Sequence, residues 1–337
     1  MDAALIWEWI IKSVLILLTM TGGFAYVTLY ERKVLARMQV RIGPNRAGPG
    51  GILQPIADAV KLIFKEELIP ANANKLIFVM APVITVIPAL VITAVVPWGT
   101  AITLFGRTIP LGLADINVAV LYLLSVTSIS VYGITLAGWS SNNKYAALGG
   151  LRSTAQMISY ELALGLSFVG PVMIAGSMSL RDIVVAQSHS VWFIVFQPLG
   201  AAIFTIATIA EVNRAPFDMP EAEQELTAGY HTEYSSMKFA LFFMAEYIKM
   251  IAVSMIGATV FMGGYLGPFY DKFPILGPVY LFIKVALFLF ILIWLRATSP
   301  RIRYDRLMAF GWKILFPLAL LNVVLTAVGL TIFGGGK

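Results

Sequence analysis

The chain has 337 residues, 59% of them hydrophobic and 12% charged, which excludes a soluble globule and points to a polytopic membrane protein. Cysteine is absent and only His189 and His231 are present, which excludes a thiolate-ligated iron–sulfur cluster, a disulfide and a cysteine-rich zinc site. The net charge of +6 would suit nucleic acid, but its distribution along the chain assigns it to membrane orientation instead.

In chain order, apolar runs predict eight spanning helices at approximately 4–29, 76–97, 115–138, 154–176, 191–211, 238–262, 276–296 and 310–332. The first run reads as a retained span rather than a cleaved signal peptide, because it lacks a basic leader and a small-residue cleavage pattern. A ninth stretch, about 50–66, places Ile52, Ile56, Val60 and Ile63 on one helical stripe and Gln54, Asp58, Lys61 and Lys65 on the other. It is expected to lie at the membrane interface or to roof a cavity. The predicted fold is therefore all-α, a transmembrane bundle of about eight spans plus one amphipathic interfacial helix, forming a single membrane domain over 1–337.

The loops after predicted spans 1, 3, 5 and 7, with the residues flanking them, carry 17 of the 24 lysines and arginines. The opposite side carries four: Arg107, Arg181, Lys272 and Lys337. The positive-inside rule places the basic side in the cytoplasm and both termini outside, with some of the charge meeting phospholipid head groups. A cytoplasm-bounding membrane location is expected, with the bilayer as a partner and nucleic acid set aside. His189 and His231 fall in loops on opposite sides, so they would not ligate one haem. Any redox centre has to come from a partner chain. No internal repeat of the secondary-transporter kind is visible. The long cytoplasmic loops at 30–75 and 212–237 are where function is expected to concentrate.

The first of these loops opens Tyr30-Glu31-Arg32-Lys33 and continues Gln39-Val-Arg41-Ile-Gly-Pro-Asn-Arg-Ala-Gly-Pro-Gly50. Glycine and proline at that density predict a fixed, non-helical path. Arg32, Arg37, Arg41 and Arg46 then sit near the membrane surface with Glu31, Asp58 and Glu66, a composition that suggests ion pairs around a cleft. The second loop is acidic: Glu211, Asp218, Glu221, Glu223, Glu225 and Glu233, with Glu246 one helix later, are seven of only 18 acidic residues. Carboxylates held close together make protons mobile near neutral pH. Pro216 and Pro220 restrict this segment to turn-like paths, and Glu221 and Glu225 would share a face if it is helical.

Glu161, Glu211 and Glu246 fall within or at the ends of spans, where a buried charge costs several kcal/mol unless it is neutralised or partnered. Lys249, three residues from Glu246, is the expected partner, with Lys284 and Lys12 as further candidates. These residues read as a polar track from the acidic loop into the membrane. Neither a phosphate-binding loop nor a dinucleotide fingerprint is present. Phe239, Phe242, Phe243 and Met244 suit helix packing and the lining of an apolar tunnel equally well.

Two segments carry a resemblance: Gly51-Ile-Leu-Gln-Pro-Ile-Ala-Asp-Ala-Val-Lys-Leu-Ile-Phe-Lys-Glu66 and Pro216-Phe-Asp-Met-Pro-Glu-Ala-Glu-Gln-Glu-Leu-Thr-Ala-Gly229. With Tyr30-Glu-Arg-Lys33 and Arg41-Ile-Gly-Pro-Asn45, they resemble the quinone-site membrane subunit of respiratory complex I, called the H subunit in bacteria and subunit 1 in mitochondria. The resemblance spans essentially the whole chain. It implies a subunit of a proton-translocating NADH:quinone oxidoreductase that anchors the peripheral arm to the membrane arm, with no complete active site of its own. Arg32, Arg41, Asp58, Glu66 and Glu31 would line or support the quinone tunnel. Glu221, Glu223, Glu225 and Glu233 would form the acidic loop beside it. Glu161, Glu211 and Glu246 would form a carboxylate channel toward the antiporter-like and small membrane subunits.

The resemblance further implies quinone as substrate and no cofactor bound by this chain, with FMN and iron–sulfur clusters on the partner subunits. The alternatives are the homologous subunit of a hydrogenase, a formate hydrogenlyase or a ferredoxin- or deazaflavin-driven complex. An independent cation transporter and a pure assembly scaffold are the readings from other classes.

Overall fold

Apolar runs become helices here because each backbone donor and acceptor must be satisfied within its own segment in lipid. The structure, a computed structural model, describes residues 3–104, 107–219, 228–270 and 272–333. The elements in order are α1 (Ala3–Met38), α2 (Gln54–Phe64), α3 (Lys75–Val91), α4 (Ala119–Ser140), α5 (Lys144–Ala175), α6 (Leu180–Ser188) and α7 (Phe193–Phe196). They continue with α8 (Pro198–Glu211), α9 (Ser236–Phe261), α10 (Gly277–Thr298), α11 (Tyr304–Phe310) and α12 (Phe316–Phe333). The last two helices join through a π-turn at Gly311–Leu315. The fold is an all-α polytopic bundle, with seven helices among the described residues long and apolar enough to cross a membrane.

The bundle is built around α9. Every residue from Tyr247 to Phe261 is buried, as expected for a helix that is apolar on all sides. By contrast α1 and α12 leave Trp7, Ile11, Leu15, Leu18, Val324, Leu325 and Ile332 exposed, which puts them at the outer margin of the bundle. Close backbone approach requires glycine at two contacts. A Cβ on Gly133 of α4 would lie 2.1 Å from Thr85 Oγ1 of α3, and one on Gly149 of α5 would lie 2.6 Å from the Cα of Gly229. The second contact seats residues 229–231 of the acidic loop against α5.

Four features differ from the expected elements. The span expected at 191–211 is interrupted at Gln197, leaving α8 only 14 residues long, about 21 Å against a hydrocarbon core of about 30 Å. Pro198 causes the break, since proline disfavours helical geometry in the residue before it and suits the first helical position after it. Buried polar contacts hold the break, Gln197 Nε2 donating to Thr326 Oγ1 at 2.7 Å and Gln197 Oε1 accepting from Asn322 Nδ2 at 3.3 Å. Second, α1 runs on to Met38, so residues 30–38 of the expected first loop are helical and the irregular path begins at Gln39. Third, α5 starts at Lys144, an N-terminal extension that Asn143 caps through Tyr145 N. Finally, a small antiparallel hairpin pairs β1 (Ala101–Leu104) with β2 (Arg107–Pro110), Ala101 opposite Pro110. The expected amphipathic helix is present as α2, which buries none of its residues and leaves Ile56, Val60 and Ile63 exposed on its apolar stripe.

Candidate functional site

The turn that leaves α8 is shaped by one glutamine. Gln156 of α5 is fully buried, and its Nε2 lies 2.9 Å from Ala210 O, 2.7 Å from Phe217 O and 3.2 Å from Asn213 Oδ1. Carbonyls left over at a helix C-terminus need donors, and this side chain supplies them from inside the bundle. The turn so fixed presents two charged groups to the interior, Glu211 and Arg214, with side chains only 1% and 6% exposed.

From these two residues a line of paired charges runs through the protein. Arg296 of α10 contacts Glu31 of α1, and Arg214 Nη1 lies 3.9 Å from the same Glu31 Oε1. Arg214 Nε reaches Glu246 Oε1 of α9 at 2.5 Å, while its guanidinium sits 4.5 Å above the Tyr247 ring. One turn further along α9, Lys249 Nζ donates to Glu211 Oε1 at 3.0 Å. Glu211 Oε2 has no hydrogen-bond donor among the described residues. Glu161 of α5 is close enough to act on Glu211 electrostatically. Glu161 itself accepts from Thr127 Oγ1 at 3.3 Å and from Ser128 Oγ, both on α4. Cations and carboxylates thus alternate over most of the line, the arrangement that offsets the desolvation of each.

Two narrow cavities follow this line. Glu31, Arg214 and Arg296 line one together with Ile209, Met250 and Leu292. Glu211, Glu246 and Lys249 line the other with Asn213, Tyr230 and His231. Val212 borders both, so the two approach each other at the turn that Gln156 holds.

Several expected partners are reassigned. Lys249 pairs with Glu211 rather than with Glu246 of its own helix, which takes Arg214. Lys284 does not join the track: its ammonium donates to the carbonyls of Met262, Gly264 and Leu266 at 2.6–2.8 Å and faces Trp192. Lys12 pairs at 2.5 Å with Glu8 on its own helix. Glu31, named with the tunnel residues, is 3% exposed and sits within the line of paired charges.

The remaining candidates divide between two places. Glu233 accepts from Asn143 Nδ2 at 2.6 Å, which ties the acidic loop to the start of α5. Beside it Tyr234 stacks on Phe78, its ring centroid 4.0 Å away, and burial pushes its hydroxyl up to about 12. Glu221, Glu223 and Glu225 lie outside the described residues. On α1, the residue after Glu31 points the other way. Arg32 Nη1 pairs with Asp58 Oδ2 of α2 at 2.8 Å, and Gln54 braces the second carboxylate oxygen at 3.1 Å. Arg41 bonds Gln39 at 2.7 Å on an exposed groove shared with Lys33 and Arg37. Glu66 is exposed; its backbone carbonyl accepts from Ser235 Oγ, while the neighbouring Glu67 pairs with Lys238 at 2.7 Å.

Sequence reasoning missed Arg214, Arg296 and Gln156 as site residues. A signal existed for Arg296, which ends an apolar span with no carboxylate at helical spacing; Arg214, with Glu211 three residues before it and Asp218 four after, offered no such signal. For Gln156 none existed, since its role depends on which helix it faces.

The NADH dehydrogenase family model matches residues 11–327 of this chain. A relative from Thermomicrobium roseum, the H subunit of its NADH-quinone oxidoreductase, is 53% identical over 96% of this chain and 97% of its own length. An H subunit of the same enzyme from Geobacter metallireducens is 51% identical over 94% of each chain, and that of Protochlamydia amoebophila is 53% identical over 90% and 91%. The chain belongs to the H-subunit family of NADH-quinone oxidoreductase and is a multi-pass membrane subunit of that enzyme complex.

Proposed function

We propose that this subunit admits quinone from the bilayer past α1 and α2 and converts its reduction into proton displacement along the buried charges. The observation that carries the reading is the unbroken sequence Arg296–Glu31–Arg214–Glu246, continued by Lys249–Glu211 and by Glu161. A unit charge appearing about 10 Å from one end, at an effective dielectric of about 20, contributes about 1.7 kcal/mol. That is more than one pK unit, enough to move a proton between neighbouring carboxylates. The charge required is that of a partly reduced quinone, so redox chemistry and proton movement are linked by the field alone.

The tunnel mouth is assigned to the exposed stripe of α2 beside the Arg32–Asp58 pair, with Arg41 and Glu66 at its cytoplasmic rim. Both termini face outward. The loops after Met38 and after Glu211 receive the peripheral-arm subunits, which carry FMN and the iron–sulfur clusters. Antiporter-like and small membrane subunits receive the proton displacement beyond Glu161. The absence of cysteine supports the assignment of every cluster to a partner chain.

The test uses the assembled complex with Glu211→Gln and Glu161→Gln introduced singly. Loss of proton pumping together with quinone reduction is expected. Wild-type rates of both would rule the coupling reading out.

A further inference from the structure

His231 belongs to none of the roles assigned so far, yet it lines the cavity that holds Glu211, Glu246 and Lys249. We infer that His231 is the proton-transfer residue between the acidic loop and the buried carboxylates, taking protons at the loop end of this cavity and passing them inward.

Position is the first argument. His231 ends the short turn Gly229–His231, which is seated on α5 by the Gly149–Gly229 contact and closed by Thr232 Oγ1 donating to Gly229 O at 2.7 Å. Its ring is wedged edge-on between Tyr230 and Phe239, with centroids 4.6 and 5.7 Å away. It is half-buried, while Glu211 behind it is 1% exposed. The imidazole is thus fixed where the surface meets the cavity that holds Glu211, Glu246 and Lys249.

Chemistry is the second argument. Imidazole gains and loses a proton near neutral pH through either ring nitrogen, so one residue can receive on one side and donate on the other. The titratable groups lining the same cavity are Glu211 from α8, Glu246 and Lys249 from α9 and Tyr230 on its own turn, with Glu233 two residues along the same segment. Thr85 of α3 and Ile134 of α4 also line the cavity and do not titrate near neutral pH, and α5 meets the turn through Gly149. In the transfer an N–H bond of imidazolium breaks as an O–H bond forms on a carboxylate. The imidazole is left neutral and no electron moves. The inference rests on the coupling reading above and deepens it.

The experiment places His231→Gln and His231→Asn in the assembled complex, in sealed membrane vesicles, and measures NADH-driven quinone reduction and pumping from about pH 6 to about pH 9. Pumping is expected to fall about tenfold or more at neutral pH, in line with loss of a general acid–base group, and to lose its inflection in the histidine range. A wild-type rate and pH profile in either variant would overturn the inference, as would failure of both to assemble, since the residue would then be structural. Glu211→Gln is run alongside. Normal pumping in that variant sinks the coupling reading itself. Blocked pumping there, with normal pumping in His231→Gln, sinks only the histidine's role.

Discussion

Replacing Lys249 by methionine tests the physical basis of the charge line most sharply, because it removes one half of its most buried pair. Lys249 is 4% exposed and Glu211 1%, with 3.0 Å between Nζ and Oε1. At that separation and an effective dielectric of about 20, their attraction is about 5.5 kcal/mol. Much of it offsets desolvation, so the expected cost of removing one partner is about 3–5 kcal/mol, which arises from the carboxylate left behind. The double variant Lys249→Met/Glu211→Gln removes that carboxylate charge and is expected to recover most of the loss, a coupling of about 2–3 kcal/mol in a double-mutant cycle. Thermal stability of the purified complex, followed as retention of this subunit on native gels after heating, reads the effect. Pumping should stay impaired in the double variant even where stability returns, since the line is still cut at Glu211. If Lys249→Met is as stable as wild type, or the double variant is no better than the single, the pair does not hold the interior as argued.

Two further changes separate the buried line from the exposed pair. Gln156→Leu takes the side-chain donor from Ala210 O and Phe217 O, each of which keeps a backbone donor (Asn213 N and Met219 N), so the cost is about 0.5–1.5 kcal/mol for each hydrogen bond lost. The resulting shift of Arg214 should lower quinone reductase activity as well as thermal stability, and a stable, fully active variant would refute the turn's role. Arg32→Ala and Asp58→Asn break a half-exposed pair, so stability should change by no more than about 1 kcal/mol. The effect is expected instead in a raised KM for quinone, and an unchanged KM in both variants would remove this pair from the tunnel mouth.

Much of this architecture was legible because it depends on composition over whole segments. Uniformly apolar runs mark helices for lipid and for the bundle axis alike, and the stripe of Ile52, Ile56, Val60 and Ile63 marked α2 before its apolar face was seen to lie exposed. Glu161, Glu211 and Glu246 stood out because intramembrane charge is costly wherever it occurs. Their pairings were not legible. Lys249 and Glu246 share a face of α9, yet each turns to a residue at the end of α8, because the Gln156-held turn brings Glu211 and Arg214 within reach. The break at Gln197 was readable in principle from the following proline, but the apolar residues on both sides masked it. The length of α1 was hidden by charge: Glu31, Arg32 and Lys33 read as loop, whereas the helix continues with Glu31 turned inward and Arg32 turned to α2.

The central claim is that quinone reduction drives proton displacement through the buried carboxylates, and the rates of NADH oxidation and proton pumping, measured together, test it most directly. In sealed vesicles carrying the assembled complex with Glu161→Gln or Glu211→Gln, pumping should fall with NADH oxidation, leaving residual turnover slow and still coupled. Wild-type oxidation with a wild-type ratio in both variants would contradict the claim.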